Sequence, residues 1–179
     1  MQKTEIDFSA LQASQQGHDL QNHFDILALH KMERLKHYGL HFAKYVGRLA
    51  RGSREPKSPE QTATDAFLVV LSTANTLNQR LSTLDLEQRV GPSDILLEFA
   101  SAAGRFADAC EKMDHLEEFR ELANVANRDI LKVILSLGDH LNVDLVAAIT
   151  ARRRELYERQ AYHDQGDSCS GAGRNSGRS

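Results

Sequence analysis

The chain repeats a two-helix unit once, and this doubling constrains its fold more than any other feature. Leu40–Arg51 (LHFAKYVGRLAR) recurs as Leu97–Asp108 (LEFASAAGRFAD), with Leu, Phe, Ala, Gly, Arg and Ala coinciding. Asp65–Leu81 (DAFLVVLSTANTLNQRL) recurs as Asp129–Leu145 (DILKVILSLGDHLNVDL), with Asp, Val, Leu, Ser, Leu, Asn and Leu coinciding and no gap. Two copies of such a pair can bury their apolar faces against each other as an internal pseudo-dimer.

Helical periodicity sets the expected elements. Phe24, Ala28, Leu35, Tyr38, Phe42, Tyr45 and Leu49 step by three and four, with Lys31 the exception, and predict a long helix from about Asp19 to Arg51. Ser58, Pro59 and Gln61 form a capping-box start for a second helix running to about Arg80. Ser93 is the expected cap of a third, to about Met113, and a fourth spans roughly Leu116 to Leu141. Asn142 stops it and is the expected cap of a fifth, with Asp144 in its first turn, ending near Tyr162. No segment alternates like a strand. The expected fold is all-α: a four-helix bundle core from two αα-hairpins (about 19–81 and 93–145) plus a C-terminal helix, one domain over 19–162. A polar segment 1–18, with a short helix around Ile6, Phe8 and Leu11, precedes it. The Gly/Ser-rich residues 163–179 follow as an expected disordered tail.

Composition narrows the classes of partner. A net charge of -3 and a pI near 6.2 argue against binding a nucleic-acid polymer. Aromatic residues are 6% and Trp is absent, so Leu, Val, Ile and Ala must fill the core. Cys110 sits in a helical pattern and Cys169 in the tail, a usage that fits a reducing compartment. The polar N-terminus lacks an apolar leader core, and the longest apolar run, Ala66–Leu71, is too short to span a bilayer. A cytoplasmic soluble protein without a membrane partner is expected. The doubled unit can complete a bundle alone, and such bundles often pair again, which leaves a homodimer open.

Polar residues separate the two copies. His30, Arg34, His37, His41, Lys44, Arg48 and Arg51 share one face of the first long helix. Their repeat counterparts are Glu87, Gly91, Asp94, Glu98, Ser101, Arg105 and Asp108. One copy is basic and the other largely acidic, although both solve packing with the same apolar residues. Asp94 and Glu98, one turn apart, can hold a hard cation, and Asp129 can supply a third oxygen. Mg²⁺ favours a few carboxylates plus substrate phosphates. His37, His41, Lys44 and Arg48 would then contact those phosphates. Bland readings stand beside this one. The stripes can face each other as inter-helix ion pairs, Asp94 can simply serve the helix dipole, and charge rows are often solvated faces. A further reading takes His37, His41 and Asp65 as ligands for a transition metal such as zinc or iron.

The segment Asp129–Leu145, followed by Val146–Arg159, resembles the second motif helix and closing helix of the MazG-like all-α nucleoside triphosphate pyrophosphohydrolases. The resemblance covers roughly 93–160, and again 37–81 through the repeat. It implies a helical bundle with Mg²⁺-dependent hydrolysis of an NTP or dNTP to NMP and pyrophosphate. Asp94, Glu98 and Asp129 would hold the metal, Glu98 would act as the catalytic base, and His37, His41, Lys44 and Arg48 would bind substrate. The chain departs from the family's EExxE motif, since Ile95 stands at the second Glu. It departs from ExxD as well, reading Ala126-x-x-Asp129 in one copy and Thr62-x-x-Asp65 in the other. A literal EExxE, Glu117 to Glu121, lies only eight residues before Asp129 and reads as an exposed acidic turn. The departures make a non-catalytic member, binding a nucleotide or a protein partner, the second expectation.

Overall fold

A computed structural model of the protein describes residues 6–168, with side chains through Glu158. The described residues form α-helices and short 3₁₀ turns with no strand: α1 (Phe8–Asn22), α2 (Phe24–Leu27), α3 (Lys31–Arg51), α4 (Pro59–Leu77), α5 (Ile95–Asp114), α6 (Arg120–His140) and α7 (Leu145–Ser168). The all-α expectation holds. Helix α3 packs on α4 and on α5, and α6 packs on α5 and on α4, so the four enclose one core. Phe42, Phe67, Phe99, Phe106, Leu71, Ile130 and Ile134 are fully buried there. Phe42 and Phe106 meet edge to face across α3 and α5, with centroids 5.1 Å apart. Helices α1 and α7 are added on one side, both against α4.

The coinciding residues of the two copies perform matching tasks. Phe42 and Phe99 are both fully buried, and Leu81 and Leu145 both close onto the core. Asn78 and Asn142 both adopt left-handed backbone, with φ of 57° and 56°. In each case the next residue's N–H reaches back five positions, Gln79 to Ala74 and Val143 to Gly138, and closes a Schellman-type end. Arg48 pairs with Asp65 at 3.2 Å, and Arg105 pairs with Asp129 at 2.9 Å. Ser72 and Ser136 each hold a neighbouring segment: Ser72 donates to Asp19 of α1 at 2.6 Å, and Ser136 accepts from the Val90 N–H of the inter-repeat connection at 2.9 Å.

Several sequence-derived boundaries move. The long first helix is interrupted between Asn22 and Lys31. Asn22 folds its side chain back onto the His18 carbonyl, which satisfies a last-turn acceptor, and the His30 imidazole accepts the Met32 N–H as an N-cap. Phe24, read as a core position, is 65% exposed because the chain has left the bundle axis there. The short helix expected within segment 1–18 is the start of α1, which begins at Phe8, is capped by Asp7, runs on to Asn22 and docks on α4. The Ser58 capping box forms as expected. Ser93, in contrast, lies in a 3₁₀ turn and donates to Asp94 instead of capping α5. Asp144, not Asn142, caps α7, accepting from the Ala147 N–H, because Asn142 is used in the left-handed end of α6. Helix α7 runs past Tyr162 to Ser168, so the expected tail begins within it, and residues 169–179, with Cys169, lie outside the described residues.

Candidate functional site

The basic stripe of α3 opens into a pocket of about 280 Å³. Helices α1 and α2 form one wall, α3 and α4 the floor, and α7 closes a side through Arg152 and Leu156. All four residues expected to bind substrate, His37, His41, Lys44 and Arg48, line it. Periodicity places them there: positions 37, 41, 44 and 48 advance by four, three and four, so they share one face of α3 beside the core positions Tyr38, Phe42 and Tyr45.

Asp65 organises the cationic end. Both its oxygens are engaged, Oδ2 by Arg48 Nη1 at 3.2 Å and Oδ1 by Arg152 Nε at 2.9 Å. Arg48 also lies over the Tyr45 ring, 5.4 Å from its centroid, and Lys44 sits 4.9 Å from the same centroid. Among the described residues Lys44 meets no carboxylate within ion-pair distance, and its ammonium donates to His41 Nδ1 at 3.1 Å. Burial, then the nearby Arg48 charge, lowers the Lys44 pKa below its usual value. Burial, then Lys44, pushes the His41 pKa down to about 4, and the same two causes lower that of His37. His41 is therefore neutral near pH 7, and its Nδ1 accepts.

The opposite wall is polar but differently built. Asp19 accepts from Gln15 at 2.8 Å and from Ser72 at 2.6 Å. Burial nonetheless raises its pKa above the ordinary carboxylate value. Gln15 in turn accepts from Arg153 of α7. His18 and His23 stack edge to face in the same wall, 5.5 Å apart. Ile26, Leu27, Leu68, Val69 and Leu156 supply the apolar lining. The arrangement can neutralise an anion at one end and cover an uncharged body at the other.

The expected metal set is not assembled in the same way. Asp94 and Glu98 are exposed at the start of α5. Asp129 on α6 is held by Arg105 at 2.9 Å and by Arg128 at 3.0 Å. Among the described residues no group of three or more His, Cys, Asp or Glu side chains stands together to hold a metal ion, a statement that also covers His37, His41 and Asp65. Among the described residues the two charged stripes make no ion pairs with each other either. Arg48 and Arg105 each find an Asp within their own hairpin, and Lys36–Asp114 at 2.6 Å is the α3–α5 pair. His30 is spent as a cap and Arg51 on Glu55. Glu117 and Glu118 are exposed in the α5–α6 turn.

Sequence reasoning missed His18, Asp19, His23 and Arg152. His18 ends the segment read as polar and outside the domain, Asp19 and His23 lie in the stretch read as the start of one long helix, and Arg152 in a row of three arginines that looks solvated. A usable signal was the density of polar residues with short reach (Gln15, His18, Asp19, Asn22) on one helical face. A solvated helix does not need such a face, and here all four are buried. No single helix among the described residues is long and apolar enough to cross a membrane. No protein-family model, no curated protein and no solved structure matches this chain.

Proposed function

We propose that this protein binds a small phosphate-bearing ligand, of the nucleotide kind implied by the MazG-like resemblance, in the pocket between α1, α3, α4 and α7. The observation that carries the reading is the convergence of Lys44, Arg48 and Arg152 in one partly enclosed pocket where Asp65 is already shared by both arginines. Lys44 stands exposed at the rim of the pocket with no carboxylate partner among the described residues, so its ammonium is available to an incoming anion. Binding without turnover is favoured over Mg²⁺-dependent hydrolysis, because Asp129 is neutralised by Arg105 and Arg128 and the family motif acids are thinned. A reducing, cytoplasmic setting accords with Cys110 as a buried free thiol whose pKa is pushed up to about 11 by burial.

Calorimetric titration of the full chain with inorganic phosphate, pyrophosphate and ATP, at low and high salt, tests this. Binding that weakens with salt and drops about tenfold or more in Lys44→Ala is expected, the size of a lost charge-assisted hydrogen bond. Absence of binding by every phosphate compound at low salt, or unchanged affinity in Lys44→Ala, would sink it. Pyrophosphate release with Mg²⁺ that disappears in Asp94→Asn and Glu98→Gln would instead favour the hydrolase.

A further inference from the structure

Four coincidences between the two copies have no task inside the chain. The pattern Leu-x-x-Ala-x-x-x-Gly-x-x-Ala begins at Leu40 on α3 and again at Leu97 on α5. The other coincidences of that window are accounted for, Phe42 and Phe99 by the core and Arg48 and Arg105 by their Asp partners. The pattern residues step by three, four and three, so each set shares one helix face. That face is turned to solvent. Leu40 and Leu97 are 72% and 69% exposed, and the alanines of both sets and Gly104 are exposed with them.

The glycines are the most telling of the four. Gly is the poorest residue for a helix interior after Pro, and it suits places where another backbone comes close. A Cβ on Gly104 would meet nothing within 4 Å, and one on Gly47 would meet only the end of the flexible Arg51 side chain at 3.2 Å. Among the described residues nothing requires either glycine, yet both stand at the same register of an exposed apolar face.

Charge identifies what covers that face. Lys36 pairs with Asp114 and Phe42 meets Phe106, so α3 and α5 run antiparallel and Arg51 lies level with Glu98. The exposed charges beside the face are Lys44 and Arg51 on α3, and Glu98 and Asp108 on α5. Arg51 stays 49% exposed even beside Glu55. A surface basic on one half and acidic on the other is self-complementary, which a two-fold dimer requires. A two-fold axis parallel to the helices lays α3 of one copy on α5 of the other. An axis across them would set α3 on α3, with like charges opposed. Two helices about 30 Å long and together about 20 Å wide offer about 600 Å² per copy, the lower end of what a specific dimer buries.

We infer that the outer face of α3 and α5 is the interface of a two-fold dimer of this chain, in which Gly47 and Gly104 admit close helix approach and Arg51 of each copy meets Glu98 of the other. The inference does not depend on the phosphate-binding reading, whose pocket opens on the neighbouring flank of α3.

Sedimentation equilibrium of the full chain from about 1 to 300 µM is expected to show a monomer–dimer equilibrium with a micromolar dissociation constant. Gly104→Gln puts a good helix former into open space, so the thermal midpoint of the dilute protein should hold or rise while the dimer weakens about tenfold or more. Arg51→Glu and Glu98→Arg should each be monomeric alone. Their equimolar mixture should form a heterodimer, because the swapped charges then oppose each other in both halves of the interface. A wild-type monomer at every concentration would overturn the inference. A dimer untouched by Gly104→Gln would overturn it too, by placing the interface elsewhere. So would charge variants that associate no better mixed than apart.

Discussion

Two imidazoles, His18 and His41, are held neutral inside the protein with pKa values near 4, in both cases chiefly by burial. His41 faces Lys44, His37 and Arg48 as further opponents of its charge, with Asp65 the one acid favouring it. His18 faces His23 and Arg153. In the unfolded chain the same groups take up protons near pH 6.5. The unfolded state thus binds more protons between about pH 6.5 and 4, and stability must fall as pH drops through that window. The contribution is complete above it. Chemical denaturation at pH 7.5 and at pH 5 should differ by about 2–4 kcal/mol from this pair, the upper end for both rings fully displaced and the lower end for solvent screening of the partly exposed His41. His18→Gln with His41→Gln should flatten the difference, and a pH-independent midpoint in the wild type would contradict the assignment. At this scale the sequence was only half legible. His41 could be placed on a face by counting, but its neutrality comes from a cation three residues away and from packing that no spacing rule reports.

At the scale of the element, helix ends carry the clearest message. Asn78 and Asn142 occupy the left-handed position that ends α4 and α6. An L-residue with a Cβ pays roughly 1 kcal/mol there, less for Asn, whose short amide tolerates the conformation, and nothing for Gly. Asn78→Ala and Asn142→Ala should each cost about 1 kcal/mol by urea denaturation, while the Gly variants should equal or slightly exceed wild type. Identical midpoints for Ala and Gly variants would show the ends are not under this constraint. The pattern of coincident Asn residues was visible in the sequence, and so was the Ser58 capping box. The break between α1 and α3 was not, because its stop and start are made by Asn22 and His30 side chains acting on backbone groups. An apolar stripe continues through a break whenever the residues on both sides happen to keep step. Asn142 was read rightly as the stop of α6 and wrongly as the cap of α7, for a related reason: one residue type serves as N-cap or as left-handed terminator, and only the αL backbone, here φ 56°, separates them.

Across the whole molecule, the two hairpins share a scaffold but have different surroundings. Helices α1, α2 and α7 enclose the polar face of the first hairpin and make the pocket, whereas the corresponding Arg105–Asp129 pair on the second stays more open. The division between a basic and an acidic copy was legible in the sequence; that the basic copy alone would be roofed was not. Roofing depends on docking of α1 and α7, and those contacts join residues more than fifty positions apart, as Ser72 to Asp19 and Arg152 to Asp65 do.

Because the Arg–Asp pair occurs twice, the chain carries its own control experiment. Side-chain exposure is 16% and 15% for Arg48 and Asp65, against 37% and 27% for Arg105 and Asp129. One substitution, Asp to Asn, can therefore be made in two settings that differ mainly in shelter from water. Asp65→Asn removes the carboxylate that Arg48 and Arg152 share, leaving them Glu55 at 3.9 Å and Glu155 at 2.8 Å, and should cost about 1–2 kcal/mol, while Asp129→Asn should stay below about 1 kcal/mol. Equal costs by urea denaturation would mean that shelter contributes nothing. The same two variants sort scaffold from site. If the pocket takes anions, Asp65→Asn should bind inorganic phosphate more tightly even as it folds less stably, and Asp129→Asn should leave phosphate affinity where it was. Each hairpin is thus the reference against which the other's Arg–Asp pair is measured.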